Sequence, residues 1–223
     1  MSGDPLSPSP ASEEGPPSDA GSFAGATGAS DEQMRDMERF HALLTEANHS
    51  MNLVGPSALA EFWPRHAWDS AQLLRHAPDA LTWADLGAGA GFPGVVLAIL
   101  LKGREGAHVH LVESMAKRCR FLQLAADELA LPATAHNARA ESLSLPVDCV
   151  TARACAPMVR LLQFARPYLQ RGATGLFLKG REVEAELAEA KKLWTYNFSL
   201  RPSLSDPSGR VVVVKGAPKP HGR

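Results

Sequence analysis

Ten residues, Asp85-Leu86-Gly87-Ala88-Gly89-Ala90-Gly91-Phe92-Pro93-Gly94, place one acid ahead of four glycines and a proline. Glycine has no Cβ, so a turn this bare lets main chain approach a ligand closely. Apolar residues lead into Asp85, and the apolar run VVLAILL follows Gly94. That is the pattern of a strand, a tight turn and a helix, with Pro93 placed for the first helical turn. About 20 residues further on, HVHLVES ends a second apolar stretch on Glu113. A carboxylate at that point of a strand–turn–helix unit can accept hydrogen bonds from both ribose hydroxyls of an adenosine.

Two cofactors share this layout. Gly89, Gly91 and Gly94 match the GxGxxG of dinucleotide binders, and Asp85 with Gly87, Gly89 and Gly91 matches the acid-led GxGxG of S-adenosylmethionine enzymes. The elements that must hold the loop alternate. Strands are predicted near 81–86, 107–112, 132–137, 147–152 and 173–179, with helices near 93–102, 115–130, 157–169 and 182–193. Alternation with short connections predicts a doubly wound, mostly parallel α/β sheet. NFSLRPSLSDPSGRVVVVKG has two strand-like runs about a turn and no helix between them, which predicts antiparallel strands at one sheet edge. The acid-led glycines, Glu113 and the closing hairpin together resemble the class I methyltransferase architecture, a Rossmann-like sheet with a late antiparallel strand.

Ahead of this core, residues 31–78 read as a helical extension. Ser30-Asp31-Glu32-Gln33 forms a capping box, and Met34, Met37, Phe40, Leu44, Ala47 and Met51 line one helix face as core rather than as ligands. A second helical stretch, about 57–76, is interrupted at Pro64. Residues 1–30 are rich in Pro, Ser, Gly and Ala and are expected to be a disordered acidic tail. The methyltransferase core is expected over 79–217 and a basic C-terminal tail over 218–223.

The net charge of −1 conceals an asymmetry. Six of the 24 acids lie in residues 1–32, which have no Lys or Arg, so 18 acids face 23 bases in the remainder. A mildly basic body is compatible with a nucleic-acid partner. No apolar run approaches the roughly 18 residues of a membrane span, and no secretory signal is visible. Three cysteines (Cys119, Cys149 and Cys155) without a CxxC pair, and eight histidines without HxxxH spacing, predict reduced thiols, a cytoplasmic protein and no metal site. Cys155 lacks the neighbouring proline expected of a methylating nucleophile.

MNLVG (51–55), RHAWDS (65–70), DLGAGAGFPG (85–94), LVESMAKRCRFL (111–122), ARAES (138–142), DCVTARACAP (148–157) and LFLKG (176–180) occur in this order. Over roughly residues 34–216 the chain resembles the bacterial 16S ribosomal RNA guanine-N7 methyltransferase family (RsmG/GidB). GAGFPG and VTARA are the specific parts, and NLV stands where NLT is expected. The resemblance implies S-adenosylmethionine as cofactor and small-subunit ribosomal RNA, or the small subunit, as partner; neither metal nor membrane is expected, and the chain is expected to be a monomer. It implies cofactor contacts at Gly87 and Phe92, at Ala140 and Glu141 beside the adenine, and at Arg153. Arg153 is the one catalytic candidate, on the methionine or substrate side. Asp85, Gly89, Gly91 and Glu113 join the cofactor set on class logic. Arg65, His66, Lys117, Arg118 and Lys179 are candidates for RNA contact. For Arg65, the alternative is a surface ion pair with Asp69. Guanine N7 bears an unshared in-plane pair and no proton, so its methylation requires no general base. A nicotinamide-dependent oxidoreductase, a small-molecule methyltransferase and a non-catalytic RNA-binding scaffold are the alternative functions.

Overall fold

The computed structural model describes residues 15–55 and 59–221. Seven strands form one sheet: β1 (Thr82–Leu86), β2 (His108–Glu113), β3 (Ala133–Asn137), β4 (Cys149–Arg153), β5 (Thr174–Lys179), β6 (Trp194–Pro202) and β7 (Arg210–Pro220). Their order is β3-β2-β1-β4-β5-β7-β6. The first five run parallel, and β7 lies antiparallel between β5 and β6. This is the α/β sheet with a reversed C-terminal strand that the sequence predicts. The central strands are apolar on both faces because helices cover both.

The helices are α1 (Ala20–Thr27), α2 (Asp31–Met51), α3 (Trp68–Ala71), α4 (Leu73–His76), α5 (Gly94–Leu101), α6 (Ala116–Glu128), α7 (Met158–Gln170) and α8 (Val183–Leu193). A π-helical turn, Phe62–Ala67, runs straight into α3. It contains Pro64, whose missing N–H accounts for the interruption expected there. One hydrophobic cluster packs α2, the π turn, α5 and α6 against one sheet face, and a second packs α7 and α8 against the other. The predicted Met-rich stripe is core: Met37 and Phe40 are fully buried. The helical extension and the sheet therefore share one core, with no seam at residue 78.

Two segment expectations are corrected. Residues 20–27, placed in the disordered tail, form α1, capped by Asp19 through its Ser22 partner and closed by Gly28 in the left-handed conformation. Phe23 is fully buried and its ring lies 5.4 Å from that of Trp63. One aromatic anchor with a cap at each end fixes a helix whose average composition looks unstructured. Residues 1–14 lie outside the described residues. At the other end, residues 218–220 belong to β7, where Lys219 pairs with Thr195 and Pro220 with Trp194. Of that expected tail only Gly222 and Arg223 lie outside the described residues.

Candidate functional site

Asp85 is the penultimate residue of β1, and the glycine loop turns the chain back over the ends of β1 and β2. Gly87 and Ala88 donate to the Val112 carbonyl at 2.8 and 3.0 Å, which lashes the loop to β2. Glu113, nearly buried, accepts from the Gly89 N–H at 3.1 Å and from the Met115 N–H at 2.7 Å. The Ser114 hydroxyl also donates to the oxygen that Met115 uses, at 3.4 Å, so the oxygen facing Gly89 is the one that keeps an acceptor position for a ligand hydroxyl. Asp85 is wholly buried. One oxygen accepts the Gly94 N–H at 2.8 Å and the other has no partner. Burial pushes the Asp85 carboxyl up to about 7, against smaller opposing effects of the Gly94 hydrogen bond and the Arg153 charge.

The glycines of the loop do different work. A Cβ on Gly94 would run into Asp85 and Leu111, and one on Gly91 into Val95 and Phe40, so Gly94 is bare to pack helix on strand and Gly91 to seat the loop against two helices. A Cβ on Gly87 would meet the Cys155 sulfur at 2.7 Å. Gly89, with φ of 55°, meets nothing but the Gly87 carbonyl at 3.6 Å. Gly89 alone among these four leaves its bare side open, which is what a closely approaching ligand needs.

Beyond the carboxyl ends of β4 and β5 lies a cavity of about 390 Å³ whose lining includes Arg65, His66, Asp69, Arg153, Lys179 and Asp206. Open α/β sheets bind their ligands at this end. Arg153, at the end of β4, has its guanidinium 3.6 Å from the Asp69 carboxylate and donates to the Arg65 carbonyl at 3.3 Å. It also lies over the Phe92 ring, 4.9 Å from its centre. The Asp69 carboxylate further accepts from Ser205 at 2.6 Å and Gln72 at 2.8 Å. Gln72, fully buried, takes the Leu204 N–H at 2.9 Å, and Trp68 donates to the Leu204 carbonyl at 3.1 Å. The helical segment bearing Arg65 and His66 is in this way latched to the β6–β7 loop, and the two form opposite walls of the cavity.

His66 stacks on Phe92, centroids 4.9 Å apart and planes at 26°. Both its ring nitrogens are buried without a partner among the described residues. Burial first, then the Arg153 and Arg65 charges, lower its pKa to about 4, so the ring is neutral near pH 7. The π turn aims this side chain, and such turns recur at functional sites.

The structure gathers Arg65, His66, Arg153 and Lys179 at one cavity and puts other candidates elsewhere. Arg65 does not pair with Asp69; it lies 3.6 Å from Asp206, while Asp69 serves Arg153. Lys179 is engaged: its ammonium donates to Glu186 at 2.6 Å and to the Ala156 carbonyl at 2.7 Å, and its side chain is only 8% exposed. Lys117 donates to the Ser50 carbonyl at 2.9 Å and lines a separate groove of about 610 Å³ between α2 and α6. Arg118 is half-buried on the same helix. Phe92 is 4% exposed, its ring packed against Phe40, Phe62, His66 and Arg153. Ala140 and Glu141 form a single helical turn after β3, whose Asn137 amide clasps the carbonyls of Glu113 and Ser114. Burial raises the Cys155 thiol, which suits its place behind Gly87 better than nucleophilic work. Sequence reading missed Gln72, Ser205 and Asp206, because only the fold brings the β6–β7 loop to the helical segment. Among the described residues no helix is long and apolar enough to cross a membrane, and no group of three or more metal-ligating side chains is placed to hold an ion.

Five parallel strands, a reversed β7, the glycine loop after β1 and a carboxylate at the end of β2 define the class I S-adenosylmethionine-dependent methyltransferase fold. Solved structures agree. A methyltransferase of that kind from Aquifex aeolicus superposes with a TM-score of 0.54 at 14% identity, over 78% of this chain and 97% of that one. Magnesium protoporphyrin IX methyltransferase of Synechocystis PCC 6803, with bound S-adenosylmethionine, gives 0.54 at 14% identity, over 84% and 99%.

The family model described as rRNA small subunit methyltransferase G matches residues 33–217. Ribosomal RNA small subunit methyltransferase G of Caulobacter vibrioides (strain NA1000 / CB15N) is 64% identical over 197 residues, 88% of this chain and 91% of that protein. The same-named protein of Methylorubrum populi is 46% identical over 186 residues, 82% and 88% of the two chains. The chain belongs to the rRNA small subunit methyltransferase G family, as its motifs led one to expect.

Proposed function

We propose that this methyltransferase transfers the methyl group of S-adenosylmethionine to N7 of a guanine in 16S ribosomal RNA, acting as a cytoplasmic monomer on the small subunit or its RNA. The cofactor fits the residues present. Gly89 offers open backbone, Glu113 a carboxylate with an acceptor position for a ribose hydroxyl, and the 140–141 turn a wall for the adenine. Arg153 marks the methionine end, where Asp69 and the Arg65 carbonyl hold its guanidinium. When bound, the cofactor supplies an electrophilic sulfonium methyl.

The observation that carries the choice of N7 is the engagement of the bases around the cavity. Asp69 is paired with Arg153, Glu186 with Lys179 and Asp206 with Arg65. His66, with a pKa of about 4, is a poor proton acceptor. An amine or hydroxyl nucleophile must lose a proton as it is methylated, whereas guanine N7 attacks through a lone pair and loses none. The protein then works by positioning the base in line with the methyl group. The target base must leave its stack to enter a cavity of this size, which favours a loop guanine.

Mass mapping of methylated nucleosides in 16S RNA, from cells with and without this protein, tests the reading: a 7-methylguanosine present only with the protein is expected. RNA carrying 7-deazaguanine at the mapped position should not be methylated. Transfer to that RNA at the normal rate would exclude N7.

A further inference from the structure

The N7 reading leaves open how the base is recognised, and one group in the cavity has no work assigned to it. His66 has two buried ring nitrogens, neither with a partner among the described residues. An unpaired buried polar group is destabilising, so such groups in native proteins call for a reason. The ring is not loose. It lies flat on Phe92, and Arg153 covers another part of that same phenyl ring, 4.9 Å from its centre. The imidazole lines the cavity beside Arg153, with both nitrogens closed off, so the ring must turn on Phe92 to meet a base.

We infer that His66 reads the base: its imidazole N–H donates to O6 of the guanine held in the cavity, and this sets the adjoining N7 towards the methyl group. The inference rests on the N7 reading. O6 and N7 lie side by side on one edge of guanine, both acceptors. A donor held against O6 fixes that edge without touching the N7 lone pair. A neutral imidazole has one N–H and one lone pair. Its low pKa keeps it in that form, which suits a base that becomes cationic on N7 methylation. Adenine carries an amino group in place of O6; the tautomer that serves O6 then sets donor against donor, and accepting from the amine requires the ring proton to move to the other nitrogen.

The test uses small-subunit RNA with 2,6-diaminopurine at the mapped target, which keeps N7 and replaces O6 by an amine. For the native enzyme kcat/KM should fall by at least about a hundredfold on this RNA. His66→Phe preserves the stack on Phe92 and removes both nitrogens. It should lose a similar factor on guanine, and the ratio of guanine to diaminopurine should shrink to within about threefold. His66→Asn, which restores an N–H, should recover part of that ratio. S-adenosylhomocysteine binding and the melting temperature report whether each variant is folded. An unchanged ratio in folded His66→Phe would overturn the inference. So would equal use of the two bases by the native enzyme, a measurement that needs no variant. Failure of the N7 reading shows separately, as a product other than 7-methylguanosine.

Discussion

The Arg153 guanidinium lies 3.6 Å from the Asp69 carboxylate, although one residue ends a sheet strand and the other opens a short helix in the N-terminal extension. Both side chains are mostly shielded, at 18% and 15% exposure. The pair ties the extension to the end of the sheet where the base and the methyl group should meet.

Asp69→Ala should leave Arg153 free to swing off the Phe92 ring and should strip Ser205 and Gln72 of an acceptor. The half-buried pair sits between the surface and buried regimes, so a stability loss of roughly 1–3 kcal/mol is expected. Single-turnover methyl transfer should slow by at least about tenfold, and S-adenosylhomocysteine affinity should fall by a smaller factor, because Asp69 reaches both cofactor and base only through Arg153. Calorimetry and rapid-quench kinetics on the same preparation separate the two. An affinity loss as large as the rate loss would place Asp69 in cofactor binding instead.

Gly89→Val and Gly94→Ala should fail in different ways. The first puts two methyls on the one open side of the loop and should raise the cofactor dissociation constant at least about tenfold, or about 1.4 kcal/mol. The left-handed φ of 55° adds strain, so stability must be measured alongside. The second drives a methyl into Asp85 and Leu111 and should lower the denaturant midpoint before it touches affinity. Identical phenotypes would remove the distinction between ligand-facing and packing glycines.

Asp85 predicts a pH dependence. Its folded pKa of about 7 lies above the ordinary 3.8, so the folded state holds the proton more tightly than the unfolded chain does. Stability from this group is therefore full below about pH 4, falls as pH rises towards 7 and levels off above. Asp85→Asn should flatten that decline in urea melts of the cofactor-free enzyme between pH 5 and 8. A slope identical to the native one would show that Asp85 is ionised throughout.

Phe23→Ala should cost about 3 kcal/mol by opening a cavity against Trp63, and removal of residues 1–28 should lower the melting temperature. Removal of residues 1–14 alone is the matched control. An unchanged melting temperature after the longer deletion would mean that α1 contributes nothing to stability.

The periodic parts of the molecule were legible from its sequence. Strands and helices from Leu81 to Leu193 fall within a few residues of their predicted bounds, because long apolar runs between glycine and proline breaks have few other ways to bury themselves. Glu113 and Arg153 could be placed because strand ends are fixed by the same pattern. The failures share a cause. α1 depends on one phenylalanine meeting Trp63, Lys179 is consumed by Glu186 on a helix that follows it, and Asp69 turns to Arg153 rather than to Arg65 in its own helical turn. Each partner is chosen in three dimensions, and local spacing is silent about it. The four glycines misled in a narrower way: their number suggested a ligand loop, yet Gly91 and Gly94 answer to packing.

The strand that completes the sheet has a consequence for how the enzyme comes into being. β7 is the last strand in sequence, yet it lies between β5 and β6. The loop that leads into it supplies the Leu204 and Ser205 contacts to Gln72, Trp68 and Asp69. A nascent chain can thus assemble its glycine loop early, but the base-holding cavity stays without one wall until β7 has left the ribosome and slotted in. Such non-local closure is slow compared with helix formation. Ribosome-bound chains stalled before β7 emerges should be able to take up cofactor and should be inert towards RNA, with activity expected only once β7 is in place.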